Sequence, residues 1–418
     1  MAFLAPLRGR CGHVFRIVWR PPELFGWDSF PQETTYGCVP TMKQLSILPF
    51  FFFFSATPIQ AEDAHTPKLR VGEAQSQEAA AEELAKMRKH FMDRETWEQR
   101  RETVRRSILR GAELDPIPER KSPPPALRHS LRKCDGYTVE NISLEVTKGV
   151  FHTGNLYLPA VAAGKMPVVL CSHGHFRDNT YVEEGRYSPS VQLLSASLAR
   201  MGCIVFAGDM VGYGDDRKRG GDHEQTQHVL ARQLWNNIRT LDYTLSLPGA
   251  DPERVGVTGA SGGGTQAFLL AAVDPRVTLA APCVMVSAHF FGGCVCESGM
   301  PIHNHGGTVT NNVEITALHA PKPLLLISCG KDWTLRTPEV EFPHLRSLYK
   351  LYGKEQDIEN AHFSEEGHDY GESKRKALYP FIAKHFKLDA GRADESRLTI
   401  FPHEELTVFN EAHPVPSR

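Results

Sequence analysis

Ser261 stands in the string Gly259-Ala260-Ser261-Gly262-Gly263, directly after the apolar run Val255-Gly256-Val257-Thr258 and before Gln266-Ala267-Phe268-Leu269-Leu270, which reads as helix. A G-x-S-x-G between a strand and a helix has a steric cause. The turn is so sharp that neighbours with side chains would collide, and it lifts the serine hydroxyl to the helix N-terminus, where the dipole favours developing negative charge. A serine hydroxyl is a poor nucleophile without a base. His368 follows the last apolar run, in Phe363-Ser364-Glu365-Glu366-Gly367-His368, and precedes a final helical stretch. A base needs an orienting carboxylate, and Leu324-Leu325-Leu326-Ile327-Ser328 leads through Cys329-Gly330-Lys331 to Asp332. Each residue alone has a bland explanation: Asp332 as a turn acid, His368 as one of 19 histidines. Serine, aspartate and histidine in that order, each after a strand, predict the nucleophile, orienting acid and general base of an acyl-transfer enzyme.

Acyl transfer also needs two backbone N–H groups aimed at the carbonyl oxygen as it becomes charged. Gly262, the residue after the nucleophile, supplies one. The other is expected from Cys171-Ser172-His173-Gly174-His175-Phe176, where Gly174 lets the amide of His175 or Phe176 turn inward. One such donor is worth about 3 kcal/mol of transition-state stabilisation. Glu297, in the long loop after the strand that follows the nucleophile, competes with Asp332 for the role of orienting acid, and the Gly-x-Asp loop favours Asp332. Glu297, His303 and Trp333 are the expected substrate contacts. His173-x-His175 and His303-x-His305 could chelate a metal, but no acidic or cysteine ligand stands at a supporting spacing, so no metal and no cofactor are expected. Cys171, Cys203, Cys283 and Cys329 fall in or beside strands as buried thiols, whereas Cys294 and Cys296 are loop residues open to pairing.

A doubly covered parallel sheet is the frame that collects such residues, because its sites form at the carboxyl ends of its strands. The chain supplies one. Apolar runs at 168–171, 203–207, 254–258, 278–286, 323–328 and 357–363 alternate with helical stretches near 188–201, 225–246, 263–273, 338–353 and 373–387. Ahead of them, 137–159 reads as a hairpin turning at Lys148-Gly149. Residues 76–113 read as two amphipathic helices broken near Asp93, and Leu398–Phe401 as a last strand. The domain boundaries are therefore a helical N-terminal segment with a Pro-rich connector at 62–125, a catalytic domain at 126–390 and a C-terminal tail at 391–418.

The 418 residues are 41% hydrophobic and 23% charged, enough for a packed core. A net charge of −2 argues against nucleic acid as partner, and nine cysteines are too few for a disulfide scaffold. Residues 42–61, MKQLSILPFFFFFSATPIQA, have the charged start, short apolar centre and small final residue of a secretory signal peptide. Residues 1–41 are then an over-called start or a leader. The protein is expected to be secreted or periplasmic, with no membrane contact once the signal is removed. Its oligomeric state is open.

The motifs DGYTVENISLEV, GNLYLP, HGHF, GDMVGYG, GASGGG, GKD and EEGHDYG, preceded by WEQRRETVRRSILRGAEL, resemble the bacterial exported α/β-hydrolases of the acetyl-xylan-esterase-like group. The likeness covers roughly residues 90–390. It implies an α/β-hydrolase fold, a mostly parallel sheet with helices on both faces plus the N-terminal helical appendage. It implies a serine carboxylesterase with Ser261, Asp332 and His368 at the triad positions, acting on a small-molecule or polysaccharide ester. The resembled acetyl xylan and cephalosporin deacetylases carry Gln after the nucleophile and the glucuronoyl esterases carry Arg, whereas this chain has Gly262. A serine peptidase of the same fold and a non-catalytic carbohydrate-binding relative are the alternatives. A peptidase of this fold generally carries a propeller domain, for which the chain has no room.

Overall fold

The computed structural model describes residues 68–416, apart from 73–74, 162–163, 176–184 and 220. The expected signal segment 42–61, the stretch 1–41 and Phe176 lie outside the described residues.

Two helices come first, α1 (Gln77–Arg88) and α2 (Arg94–Gly111), followed by strands β1 (Ala126–Lys133), β2 (Tyr137–Thr147), β3 (Val150–Pro159) and β4 (Met166–Ser172). Then come α3 (Pro189–Met201), β5 (Ile204–Gly208), α4 (Gly214–Lys218), α5 (Val229–Ser246), β6 (Ala250–Ala260), α6 (Gly262–Val273) and β7 (Leu279–Cys283). An excursion follows, with α7 (Val295–Ser298), a ribbon of β8 (Asn304–His305) and β9 (Thr308–Val309), and α8 (Asn312–Ala317). The chain closes with β10 (Leu324–Cys329), α9 (Glu341–Tyr349), β11 (Ile358–Phe363), α10 (Glu372–Phe386) and α11 (His403–Leu406).

Nine strands form one sheet in the order β1-β2-β3-β5-β4-β6-β7-β10-β11. The first three pairings are antiparallel and the other five parallel. The central parallel strands β4, β5, β7 and β10 are apolar on both faces because helices cover both. Val168, Phe206, Val257, Leu326 and Ile358 face α5, α6 and α8, whereas Val169, Val205, Ala281 and Ile327 face α3 and α10. The two predicted N-terminal helices join the first of these layers through Trp97, Val104 and Ile108, all fully buried. Asp93, where the sequence breaks, caps α2 by accepting from the Thr96 N–H at 2.9 Å, which is why the two helices do not fuse. Among the described residues no helix is long and apolar enough to cross a membrane.

Three readings of the sequence need correction. The sheet gains β1, which ALRHSLRK does not announce because this edge strand leaves most of its side chains in solvent. The strand expected over 278–286 ends at Cys283, since Val284 takes a positive φ of 47° that no extended strand continues. No strand forms at Leu398–Phe401, which runs on from a 3₁₀ turn at Glu395–Arg397. Residues beyond it are docked on the domain. Leu406 and Val408 are fully buried, and Asp215 accepts from the Val408 and Phe409 N–H groups at 2.9 and 3.2 Å. Arg186, itself buried, links Asp209 (2.8 Å), Asp215 (2.5 Å) and the Leu406 carbonyl (2.9 Å).

Candidate active site

Ser261 occupies the turn between β6 and α6 with φ 57° and ψ −124°, a strained conformation for a residue with a side chain. Its glycines are dictated by the neighbouring strand. A Cβ on Gly259 would lie 2.4 Å from the Ser172 carbonyl oxygen at the end of β4, and one on Gly263 only 2.2 Å from it. The loop after β4 lies directly over this turn, since a Cβ on Gly174 would meet the Ala260 carbonyl oxygen at 2.5 Å and the Ser261 Cβ at 2.9 Å. His173 pins that loop. It is buried, its Nε2 accepts from the Met210 N–H at 2.9 Å, and its Nδ1–H donates to the Gly174 carbonyl at 2.9 Å.

On β10, Asp332 follows the strand as expected, and the loop after β11 delivers His368 to it, Nδ1 to Oδ2 at 2.7 Å. The other oxygen of Asp332 accepts from both the N–H and the hydroxyl of Thr334, each at 2.6 Å. Burial pushes this carboxyl up, but the hydrogen bonds from His368 and Thr334 outweigh it and hold Asp332 below the usual carboxylate range. The same loop reaches back toward the serine. The Asp369 carbonyl meets the Cys283 Sγ at 3.7 Å and the Tyr370 hydroxyl meets Thr258 Oγ1 at 2.7 Å, while the Cys283 carbonyl accepts from the Ser261 N–H at 3.1 Å. The structure thus sets His368 on Asp332 and its loop on the strands flanking Ser261. It gives no direct hydrogen bond between Ser261 and His368. Trp333 packs on the His368 ring, with centroids 4.4 Å apart, and is backed by Phe290 at 4.3 Å.

The remaining candidates divide. Glu297 is buried and accepts from the Gly293 N–H at 2.8 Å, and its other oxygen lies 3.6 Å from His175 Nδ1. The contacts of its carboxylate are thus with His175 and its own loop, and burial raises it above its ordinary value. His303 is a core residue, 1% exposed, its Nε2 paired with Asn312 Oδ1 at 2.7 Å and its ring against Phe291. As a substrate contact it is corrected: the loop folds it inward. Gly262 begins α6, and a Cβ there would lie 2.8 Å from His175 Cε1.

His175 itself is engaged in a way the sequence reading missed. Its Nε2 lies 3.1 Å from His223 Nε2, 3.1 Å from Cys294 Sγ and 3.2 Å from Cys296 Sγ. Cys294 Sγ is 3.0 Å from Cys296 Sγ and 3.3 Å from His223 Nε2. All four donor atoms fall within 4.8 Å of one another. The hydrogen bond with Cys296, then those with His175 and His223, hold the Cys294 thiol far below its usual value despite burial, while burial and the neighbouring sulfur push Cys296 up. The signal available was Cys294-x-Cys296, two soft ligands at chelating spacing, although their partners stand far off in sequence.

No family model matches the sequence. A curated relative, the Bacillus subtilis (strain 168) protein YtaP, a hydrolase by name, is 28% identical over 142 residues; the match spans 31% of this chain and 48%, about half, of that protein. Among solved structures, methylesterase BT1017 is 34% identical with a TM-score of 0.76, over 82% of this chain and 76% of that one. BF1801 from Bacteroides fragilis NCTC 9343, an acetyl xylan esterase by name, is 14% identical with a TM-score of 0.52, over 69% of this chain and 83% of that one, and shares the fold.

Proposed function

The chain belongs to the α/β-hydrolase family that includes methylesterase BT1017, and we propose from that membership that it is a serine-dependent carboxylic ester hydrolase acting on a carbohydrate ester. The observation that carries this reading is the 2.7 Å bond between His368 and Asp332, in a loop that leans on the strands flanking the strained Ser261 turn. In the proposed reaction His368 Nε2 takes the Ser261 proton as Oγ attacks the ester carbonyl. Asp332 keeps the ring proton on Nδ1 and stabilises the imidazolium. The N–H of Gly262, with that of His175 or Phe176, receives the oxyanion. The alcohol leaves with the proton from His368, and water activated at the same nitrogen releases the acid from the acyl-enzyme.

The name of the 34%-identical relative adds a methyl ester to the acetyl ester suggested by the resemblance. Both are small, and Trp333 beside His368 supports a site that admits a small group at the reacting end. Fluorophosphonate labelling tests the nucleophile: wild-type protein is expected to be modified at Ser261 and S261A not at all. Hydrolysis of methyl glycuronates against acetylated sugars then assigns the ester. An unlabelled wild-type protein would sink the reading.

A further inference from the structure

We propose that His175, His223, Cys294 and Cys296 form a zinc site beside the Ser261 turn. The donor set is two imidazole nitrogens and two thiol sulfurs, a combination that suits zinc over hard oxygen-seeking cations. Tetrahedral zinc with bonds of about 2.05 Å to nitrogen and about 2.3 Å to sulfur sets its donors about 3.3–3.8 Å apart. The measured separations are 3.0–3.3 Å for the five closest pairs, so small side-chain rotations open the cluster to bonding distance.

The surrounding contacts are those that orient metal ligands. His223 presents Nε2 to the cluster while its Nδ1 is bound to the Val211 carbonyl at 2.5 Å, which fixes Nδ1–H and leaves the Nε2 lone pair inward. His175 likewise presents Nε2, with Nδ1 facing the Glu297 carboxylate at 3.6 Å. Two thiolates balance the charge of the ion. Four protein donors fill the tetrahedron, so the ion acts by holding the protein and not as a Lewis acid on substrate.

What it holds is the rim of the site. His175 comes from the loop after β4, His223 from the stretch between α4 and α5, and the two cysteines from the start of α7. One ion joins three segments that, among the described residues, share no backbone ladder, and one of its ligands lies against Gly262. The site does not depend on the esterase reading.

The test is metal content of the full chain purified under reducing conditions and loaded with zinc, followed by exchange for cobalt. One zinc per chain is expected, and the cobalt form is expected to show the intense visible bands of tetrahedral cobalt with thiolate-to-cobalt charge transfer. The C294S/C296S double variant and H223Q are expected to lose the ion and the bands. C134S and S261A are expected to keep both, the latter without turnover. The wild-type cobalt spectrum answers even where a variant fails to fold. Wild-type protein that takes up neither ion, a cobalt spectrum without thiolate bands, or full stoichiometry in C294S/C296S would each overturn the proposal.

Discussion

Asp332→Asn separates the roles of the two oxygens of this side chain. Oδ1 accepts twice from Thr334 and Oδ2 accepts from His368 Nδ1 at 2.7 Å. Asparagine has one acceptor oxygen and one NH₂. The Thr334 backbone N–H cannot rotate, so the amide oxygen must face it and the NH₂ must face His368. Nδ1 then has to accept, the ring proton moves to Nε2, and the nitrogen that should receive the Ser261 proton is already occupied. Loss of a single charge-assisted hydrogen bond, about 1.5–3 kcal/mol, sets a floor of roughly ten- to hundredfold. The tautomer exchange raises this toward the ~10⁴-fold found for the same change in a serine-protease triad. The assay is kcat on an aryl acetate, with thermal melting as the folding control. We expect kcat to fall by roughly 10²–10⁴ with KM little changed and the melt preserved. Retention of activity within about tenfold, or a larger loss in E297Q than in D332N, would refute the assignment of the orienting acid.

Gly262→Arg is expected to cost about 1–3 kcal/mol of stability and to lower kcat, because its Cβ would press on His175 at 2.8 Å; chemical denaturation and turnover on the same preparation check it. Arg186→Met leaves Asp209 and Asp215 buried without their cation and should destabilise by about 3–5 kcal/mol, read from urea midpoints; a neutral result would show that the carboxyls find other partners. Acid should also weaken the fold. Burial holds His152, His173 and His319 at about 3 and His344 at about 4, so these stay neutral when folded while the unfolded chain protonates them near pH 6.5. Burial has the opposite consequence at Asp209 (about 6) and Glu341 (about 7), protonated when folded but ionised when unfolded above pH 4.5. The four histidines outnumber the two carboxyls, so the unfolded state binds more protons than the folded one between pH 6 and 4.5 and stability should fall as pH drops through that window; flat or rising denaturation midpoints would contradict it.

The centre of the parallel half of the sheet was legible because β4, β5, β7 and β10 are buried along almost their whole length, and a continuous apolar run carries that statement. The N-terminal helices were legible from their one-sided apolar spacing, with Asp93 marking the break. β1 was not, because an exposed edge strand is selected for polarity and not for pattern. The docking of the tail was not legible, because its sequence says nothing of a buried partner. Its docking rests on Arg186, Asp209 and Asp215, which the sequence shows only as scattered charges. At the site, chain order placed Asp332 and His368 past neighbouring strands, β10 and β11, where the structure joins them at 2.7 Å. His303 failed as a substrate contact because position in a long loop does not fix which way a side chain turns.

The four-residue cluster shows why a spacing rule can look at the right histidine and still miss its chemistry. His173 and His175 were weighed as a chelating pair, as residues two apart in a regular strand would share a face, but β4 ends at Ser172 and both histidines lie in the irregular loop beyond it. Here His173 turns into the core onto Met210 and His175 turns out onto Cys294 and Cys296. The donors that complete the set arrive from 48 and 119 residues away. Their convergence follows from the topology. β4 and β6 are neighbours in the middle of the sheet, and the loop after β4 lies over the serine turn that follows β6. The position beside the nucleophile, filled by Gln or Arg in the resembled esterases, is filled here by the His175 ring against Gly262. On the proposed assignment, the oxyanion loop takes its support from across the rim through the His175 imidazole, which lies against Gly262. If so, changes at His223, which touches neither the serine nor the base, should alter turnover through His175.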